Sequence, residues 1–200
     1  MFFDLDELGY QESYRLLVNT VVPRPIALVT TVDATGTPNA APFSFFNLMG
    51  HDPPILVLGI ERKAPGEYKD TLRNLRDSGE FVVNLVNEAM AERMNVTAVN
   101  FDSSVDELLE AGLASEPARR ITVPRIVDSP VSLECTTRQI ISLGQDRSIV
   151  IGDIRAMHIA DEYYDSDRRH VLTEKMGLIG RMHGRGWYAR TSDLFHMERK

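Results

Sequence analysis

Residues 131–143 read VSLECTTRQIISL, and residues 148–159 read SIVIGDIRAMHI. Apolar and polar side chains alternate along most of each segment, which is typical of β-strands with one covered face. Gly144-Gln145-Asp146 lies between them and supplies a turn. The alternation changes phase at Gly152-Asp153, where a β-bulge would explain the break, and barrels use bulges to turn corners. The pair therefore predicts two long antiparallel strands.

Further strand signals lie upstream, and short helical stretches separate them. Strands are predicted at Ile26–Val32, Asn39–Pro42, Ile55–Ile60 and Glu80–Val86, and helices at 11–18, from near Leu72, at 88–98 and at 105–111. Ile55–Ile60 is a continuous apolar run, which favours a strand covered on both faces. Six or more strands with a few inserted helices predict a mainly β protein built as a closed or partly closed barrel. The absence of regular βαβ spacing argues against a Rossmann sheet.

Length and composition restrict the class of protein. A chain of 200 residues without a Gly- or Ser-rich linker is expected to form a single domain over residues 1–200. The net charge of −7 argues against a nucleic-acid partner, because binding a phosphate backbone needs a basic face. No stretch has the length of a membrane span, and the N-terminus lacks a signal pattern. We expect a cytoplasmic protein without membrane contact, with its one cysteine, Cys135, buried in a strand.

One local concentration of positive charge stands out in this acidic chain. Residues 62–72 read RKAPGEYKDTL, so that Arg62, Lys63 and Lys69 precede a predicted helix. A helix start leaves backbone N–H groups without partners and carries a partial positive charge, which favours an anion. The Thr71 hydroxyl adds a donor suited to phosphate oxygens. The segment predicts a binding site for one phosphate monoester, although an ordinary capped helix with solvated lysines would have the same sequence.

Asp70 is an unfavourable neighbour for a phosphate, because like charges repel. Its presence is compatible with the site if the carboxylate caps the helix while Thr71 and the cations face the ligand. Gly79 is expected to end the helix.

A second group of candidate residues lies between two predicted strands. Residues 39–48 read NAAPFSFFNL, in which Ser44 and Asn47 offer hydrogen-bond donors and acceptors beside aromatic side chains. Such a loop could hold a flat heteroaromatic ring with carbonyl and ring-nitrogen edges. The alternative is a loop closed by an apolar plug of Phe43, Phe45 and Phe46.

Common catalytic motifs are missing from the sequence. It contains no G-x-G-x-x-G after a strand, no Walker-type loop, no metalloprotease helix motif and no nucleophile elbow. The five histidines are scattered, so no metal site is expected. No side chain is an evident catalytic group, which leaves two interpretations: a binding module, or a protein that positions a cofactor carrying the chemistry.

Several short motifs in a fixed order resemble the flavin reductase-like, FMN-binding split-barrel family, and most closely its flavoredoxin-type branch. They are Val22–Thr31 (VPRPIALVTT), Ala41–Asn47 (APFSFFN), Asp52–Pro54 (DPP), Lys69–Leu72 (KDTL), Phe81–Leu85 (FVVNL), Met94–Thr97 (MNVT) and Asp106–Leu113 (DELLEAGL). The order and spacing agree over roughly residues 10–190. Gly184–Tyr188 is a looser match to the family's Gly-rich segment that ends in an aromatic residue.

The resemblance implies a Greek-key split barrel that forms a homodimer and binds one FMN per subunit near the dimer interface. It implies FMN contacts at ten positions: Thr30, Thr31, Ser44, Phe45, Asn47, Arg62, Lys63, Lys69, Asp70 and Thr71. The last five would hold the phosphate, and the others would line the ribityl chain and the isoalloxazine ring.

The implied activity is an NAD(P)H-dependent flavin reductase, with NADH or NADPH as a transient co-substrate and a monooxygenase or another electron acceptor as partner. An FMN-holding electron carrier without nicotinamide activity and a flavin-free interaction domain are the alternatives. His183 and Arg185 could approach the nicotinamide or the dimer interface, or they could be ordinary surface residues. The choice between NADH and NADPH has no local sequence signature.

Overall fold

The computed structural model describes residues 1–63, 67–144 and 147–198. The α-helices are α1 (Tyr10–Thr20), α2 (Asp70–Asp77), α3 (Ala91–Val96) and α4 (Glu107–Glu110). The strands are β1 (Arg24–Pro25), β2 (Ala27–Val32), β3 (Pro38–Phe43), β4 (Phe46–His51), β5 (Pro54–Glu61), β6 (Glu80–Leu85), β7 (Ser115–Glu116), β8 (Arg125–Ile126), β9 (Val131–Leu143), β10 (Arg147–Ile159), β11 (Tyr164–Asp165), β12 (His170–Val171), β13 (Ile179–Arg181) and β14 (Tyr188–Arg190). Short 3₁₀ helices lie at Glu88–Met90, Asp161–Tyr163 and Thr173–Met176.

The main sheet contains seven strands in the order β3-β2-β6-β9-β10-β5-β4, and its neighbouring strands are antiparallel. The predicted long hairpin is β9 and β10, which lie at the centre of this sheet. Residues 145 and 146 of the predicted turn lie outside the described residues. β3 is an edge strand, as expected for a strand that contains Pro38 and Pro42. The prediction of a mainly β protein with inserted helices is confirmed.

The predicted bulge is also present in the central hairpin. The pairing of β10 with β9 shifts between Ile151 and Gly152, whose partners are Gln139 and Thr137. A β-carbon at position 152 would lie 2.5 Å from Cζ of Phe81, so glycine is needed for the ring to pack against this strand.

The two faces of β2 pack against different apolar clusters. Ala27 and Val29 belong to a cluster that includes Leu72 and Leu75 of α2. Ile26, which precedes β2, and Leu28 belong to a second cluster, which includes Met90, Met94 and Leu108 from the 3₁₀ turn at Glu88–Met90, α3 and α4. Each fully buried side chain of this size contributes about 1.5–3 kcal/mol. The inserted helices therefore cover both sides of one strand.

Some element predictions need correction. β5 is not covered equally on both faces, since Leu56, Leu58 and Ile60 are buried while the residues between them are only half-buried. The predicted helix at 88–98 is a 3₁₀ turn followed by α3. The predicted helix at 105–111 is limited to α4, because the Asp106 carboxylate accepts hydrogen bonds from the backbone N–H groups of Leu108 and Leu109 and so fixes its start.

Cys135 is fully buried in the same cluster as Leu133, as the alternation in β9 predicts. Burial raises the pKa of its thiol far above the ordinary range. Among the residues that the structure describes, no helix is both long and apolar enough to cross a bilayer.

Candidate functional site

The start of α2 lacks the side-chain capping hydrogen bond that the sequence predicts. The helix begins at Asp70, two residues before the predicted position, and its N-cap residue Lys69 makes no side-chain capping bond. Its first backbone hydrogen bond within the helical turn runs from the N–H of Arg73 to the carbonyl of Lys69, at 3.1 Å. The preceding amide groups therefore remain available to an anion. Gly79, with φ at +70°, follows the helix as predicted.

Two buried side-chain hydrogen bonds fix α2 to the edge of the main sheet. Asn39 Nδ2 in β3 donates to Thr71 Oγ1 at 3.1 Å, and Asn74 Nδ2 donates to Thr31 Oγ1 in β2 at 3.0 Å. Because the Thr71 oxygen accepts from an amide, its own hydroxyl hydrogen is left to be donated elsewhere.

A small cavity of about 150 Å³ lies between the start of α2, the β3 edge and the segment that follows α3. We call it the α2 cavity. Its lining residues are Asn39, Ala41, Pro42, Lys63, Lys69, Asp70, Thr71, Thr97, Ala98, Val99, Asn100, Phe101 and Glu107. Four of the predicted phosphate-binding residues are therefore brought together at one place: Lys63, Lys69, Asp70 and Thr71.

The charges of the α2 cavity are mixed. Asp70 does not cap the helix as expected; it pairs instead with Lys63 Nζ and with Arg73 Nη2, each at 2.6 Å. Glu107 is buried and accepts a hydrogen bond from the Ala40 amide at 2.7 Å. Burial raises the pKa of Glu107 to about 7. This carboxyl group is therefore close to half-protonated at neutral pH, within reach of Lys69 and Lys63.

The structure places Arg62 outside the lining of this cavity. Its guanidinium carbon lies 4.6 Å from the centre of the Tyr68 ring, and that of Arg76 lies 4.4 Å from the same ring. Such cation–π contacts hold the Arg62 side chain on the aromatic ring. Residues 64–66 of this segment lie outside the described residues.

The second group of predicted residues meets where β3 passes into β4. Ser44, Phe45 and Asn47 line a cavity of about 710 Å³, which we call the corner cavity. The Phe45 carbonyl accepts from the Gly59 amide at 2.7 Å, which fixes the corner against β5. The guanidinium of Arg147 lies 4.8 Å from the centre of the Phe45 ring. Of the three aromatic residues in the alternative apolar plug, Phe45 is 38% exposed, whereas Phe43 is buried in the core and Phe46 packs against it.

Thr30 and Thr31 do not line either cavity, and this corrects their predicted role along a ribityl chain. Both are fully buried. Thr30 Oγ1 donates to the carbonyl of Pro124 at 2.7 Å, while Thr31 accepts the bond from Asn74 described above. Successive residues of a strand face opposite sides, so the two threonines could not line one pocket together.

The two cavities are neighbours along β3, although they share no lining residue. Phe43 ends β3 between them, and Lys69 Nζ lies 5.8 Å from the centre of its ring. The α2 cavity has the donors and the size for a phosphate group. The corner cavity has the volume and the aromatic, amide and hydroxyl groups for a flat ring system.

Sequence reasoning missed Asn39, Asn74 and Glu107 as parts of the site. Asn39 lies in the predicted edge strand, two residues before Ala41, so the two residues are on the same face of that strand. This spacing is the one sequence signal that could have placed Asn39 at the site. Glu107 is 36 residues from Thr71 in the sequence, and only the packing of α4 on β3 brings it to the cavity.

Comparisons with known proteins agree with this architecture. A family model described as flavin reductase like domain matches residues 19–173. The 2-nitrobenzoate 2-nitroreductase NbaA of Pseudomonas fluorescens is 36% identical, with a TM-score of 0.91 over 100% of this chain and 96% of that one. Nitrilotriacetate monooxygenase component B of Bacillus cereus is 31% identical, with a TM-score of 0.93 over 98% of each chain. A Shewanella frigidimarina protein named as a flavin reductase with a split barrel domain is 19% identical, with a TM-score of 0.84 over the full length of both chains, and shows the fold alone.

The fold is thus that of the split-barrel proteins, which confirms the predicted fold class. The chain belongs to the flavin reductase-like family, as the motif order indicates. Membership of this family supports an oxidoreductase that uses flavin.

Proposed function

We propose that this protein binds FMN and acts as an NAD(P)H-dependent flavin reductase, with residues 1–200 working as one domain. The observation that carries the proposal is the α2 cavity, where Lys63, Lys69 and Thr71 converge on the open start of a helix beside an edge strand. Membership of the family supports a flavin as the cofactor. The α2 cavity favours a flavin that ends in a phosphate.

The residues of the α2 cavity fit a phosphate monoester on two conditions. A phosphate carries up to two negative charges near neutral pH. Lys63 is already paired with Asp70, so Lys69, Thr71 and the backbone amides must supply most of the attraction. Glu107 must also be neutral, and its pKa of about 7 allows the protein to take up that proton. The site therefore fits the phosphate best when Glu107 is protonated.

The remaining residues of the proposal hold the ring system at the corner cavity. Ser44 and Asn47 border this cavity, as does the partly exposed Phe45, whose ring is in contact with the guanidinium group of Arg147. When bound, the flavin accepts a hydride from a reduced nicotinamide and passes the electrons on. The chain's own groups bind and orient, because hydride transfer requires close positioning and no side-chain acid or base. Arg62 is not part of the proposed contacts in this geometry.

The proposal includes a homodimer in the cytoplasm. Exposed apolar side chains beside the corner cavity, including Leu17, Leu48, Met49 and Leu143, give a surface that a second copy could cover. The single buried thiol is consistent with a reducing compartment. The proposed final acceptor is a monooxygenase component or a small organic molecule. The similarity to a monooxygenase component B and to a nitroreductase supports these two classes.

The test begins with binding. FMN and riboflavin are titrated against the purified full-length chain, and FMN is expected to bind at least tenfold more tightly, because riboflavin lacks the phosphate. Equal affinities would show that no phosphate site contributes and would remove the basis of the proposal.

Oxidation of NADH and of NADPH is then followed in the presence of added FMN. Turnover with either nucleotide is expected. FMN binding without turnover would support the electron-carrier alternative, and a chain that binds no flavin would support the flavin-free interaction domain.

A further inference from the structure

A third cavity, of about 700 Å³, lies between α1, the β3–β4 corner and the C-terminal loop that follows β13. We call it the arginine cavity. Its charged lining residues are Arg15, Arg24, Arg181 and Arg185, and no Asp or Glu is among its described lining residues. Four cations without a lining carboxylate are unexpected in a chain with a net charge of −7.

Arg24 is the most unusual member of this group. It is only 9% exposed, and its Nη1 donates to the carbonyls of Val18 at 2.7 Å and Val21 at 2.8 Å. Its Nη2 donates to the carbonyl of Met182 at 3.2 Å, and its Nε lies 3.4 Å from Ser44 Oγ. Among the described residues no carboxylate pairs with it. A buried charge that has only dipolar partners is costly, so a bound anion in the cavity would stabilise it.

The other arginines add to this imbalance. Arg181 donates to the carbonyls of Trp187 and Gly184, which fixes it beside the cavity without neutralising its charge. Burial and the nearby charge of Arg181 both lower the pKa of Arg24. Arg15 and Arg185 are exposed, so their guanidinium groups can reorient towards a ligand. Glu61, which accepts a hydrogen bond from the lining residue Tyr10, is also paired with Arg147.

Aromatic rings also line this cavity. The rings of Tyr10 and Tyr14 stack with centroids 6.3 Å apart and planes at 19°, and Phe45 forms part of the same lining. The Phe45 ring is already in contact with the guanidinium group of Arg147, so a flat ring would pack against the tyrosine rings while its acidic group meets the arginines. The planar fork of a guanidinium matches a carboxylate, which is itself planar.

We propose that the arginine cavity binds a small aromatic carboxylate of the benzoate type. The arginine and corner cavities share Tyr10, Tyr14, Val18, Arg24, Ser44 and Phe45, so such a ligand lies next to the proposed place of the flavin ring. Its role as an organic substrate rests on the proposed function, whereas its binding does not.

The test is a calorimetric titration of the full-length chain with sodium benzoate, in the presence and absence of FMN. The variant replaces the two exposed arginines, Arg15→Gln together with Arg185→Gln. The matched control is Arg168→Gln, because Arg168 is exposed and lines none of these cavities. Benzoate is expected to bind the wild type and the control equally and the double variant at least tenfold more weakly. Benzamide, which has the same ring without the charge, is expected to bind at least tenfold more weakly than benzoate.

Three results would overturn the proposal: no benzoate binding to the wild type, equal binding to the double variant, or equal binding of benzamide. Inorganic pyrophosphate is titrated as a competitor, and an affinity tenfold above that of benzoate would also overturn it by assigning the cavity to nucleotide phosphates. Because these titrations need neither flavin nor turnover, a failure of the proposed reductase activity would leave their outcome readable.

Discussion

The α2 cavity and the arginine cavity both contain positive charge, and they differ in how that charge is balanced. The α2 cavity contains Lys63 and Lys69 together with Asp70 and Glu107. The arginine cavity contains arginines and no lining carboxylate among its described residues. The lysines that stand out in the sequence therefore belong to the α2 cavity, whose net charge is closer to zero than that of the arginine cavity.

This difference has a consequence for the ligands of the two cavities. A site with its own carboxylates can accept a phosphate only as those carboxylates become paired or protonated, so its affinity is coupled to pH. A site made from arginines keeps its charge over the whole physiological range. The predictions below separate the two cases, from the largest expected effect to the smallest.

The largest effect concerns the buried carboxyl group of the α2 cavity. The pKa of Glu107 is about 7 in the folded state against 4.5 as its ordinary value. Between these pH values the folded state keeps a proton that the unfolded chain has lost, so the free energy of unfolding falls as the pH rises from about 4.5 to 7. The Glu107→Gln variant has no titrating group here and should not lose stability in this way. We expect the variant to be roughly 2–3 kcal/mol more stable than the wild type at pH 8 and equally stable at pH 4.

Denaturant unfolding at the two pH values measures the difference. Glu110→Gln, an exposed change in the same helix, is the control. A difference between the Glu107 variant and the wild type that is the same at both pH values would contradict an elevated pKa.

Thr71→Val tests where the phosphate lies. The change removes the hydroxyl donor and leaves the buried amide of Asn39 without its acceptor. We expect FMN binding to weaken by roughly 1–3 kcal/mol, as for a lost hydrogen bond to a charged group. Riboflavin binding should change little, since that flavin has no phosphate, and Thr191→Val, at a residue that lines neither the α2 cavity nor the corner cavity, serves as a control. Unchanged FMN affinity in a fluorescence titration would show that the phosphate lies elsewhere.

Lys69→Met tests the cation that has no ion-pair partner among the described residues. Lys69 is half-buried, so part of its attraction for a phosphate is screened by solvent. We expect a loss of about 1–2 kcal/mol in FMN affinity, together with a weaker dependence on salt. Lys175→Met, in the 3₁₀ turn at Thr173–Met176, should leave both quantities unchanged. Benzoate binding at the arginine cavity should also be unaffected, and a parallel loss there would mean that the two cavities form one site.

The smallest effect is the pH dependence of the cofactor affinity. An ionised Glu107 repels a phosphate, so FMN should bind the wild type roughly three- to tenfold more weakly at pH 8 than at pH 6.5, or about 1 kcal/mol. Glu107→Gln should flatten this dependence. Benzoate affinity should stay constant over the same range, because neither the arginines nor the benzoate titrate there. A wild-type FMN affinity that rises with pH would contradict the coupling.

Much of the fold could be predicted from the sequence, because its signals are local. Alternation over more than ten residues specifies β9 and β10, and the phase change at Gly152 specifies the bulge. The ends of the short helices were harder to predict from the sequence, because they depend on caps such as Asp106 and on the contacts that α4 makes with β3. Strand β5 shows the limit of composition: an apolar run does not reveal whether both of its faces are covered.

The candidate site could be predicted only in part. The helix start at Lys69–Thr71 is a local feature, and its residues line the α2 cavity. Asp70, Arg62 and Thr30 contact partners that the sequence pattern does not specify, although only the partner of Thr30 is distant in the sequence. Those partners are Lys63 and Arg73 for the first, the Tyr68 ring for the second and the Pro124 carbonyl for the third. The arginine cavity was not predicted as a unit, because its cations come from two distant regions of the chain, residues 15–24 and residues 181–185.

Helix α1 is attached to the molecule mainly through its C-terminal end. Val18 is its one buried residue, and Arg24 binds the carbonyl of Val18 and that of Val21 just beyond the helix. A helix of 11 residues has little stability of its own in water. Its amides should therefore exchange with deuterium much faster than those of β9, and each such opening would expose one wall of the arginine cavity while the sheet stays intact. Opening of this helix would then weaken the binding of any ligand that contacts that wall.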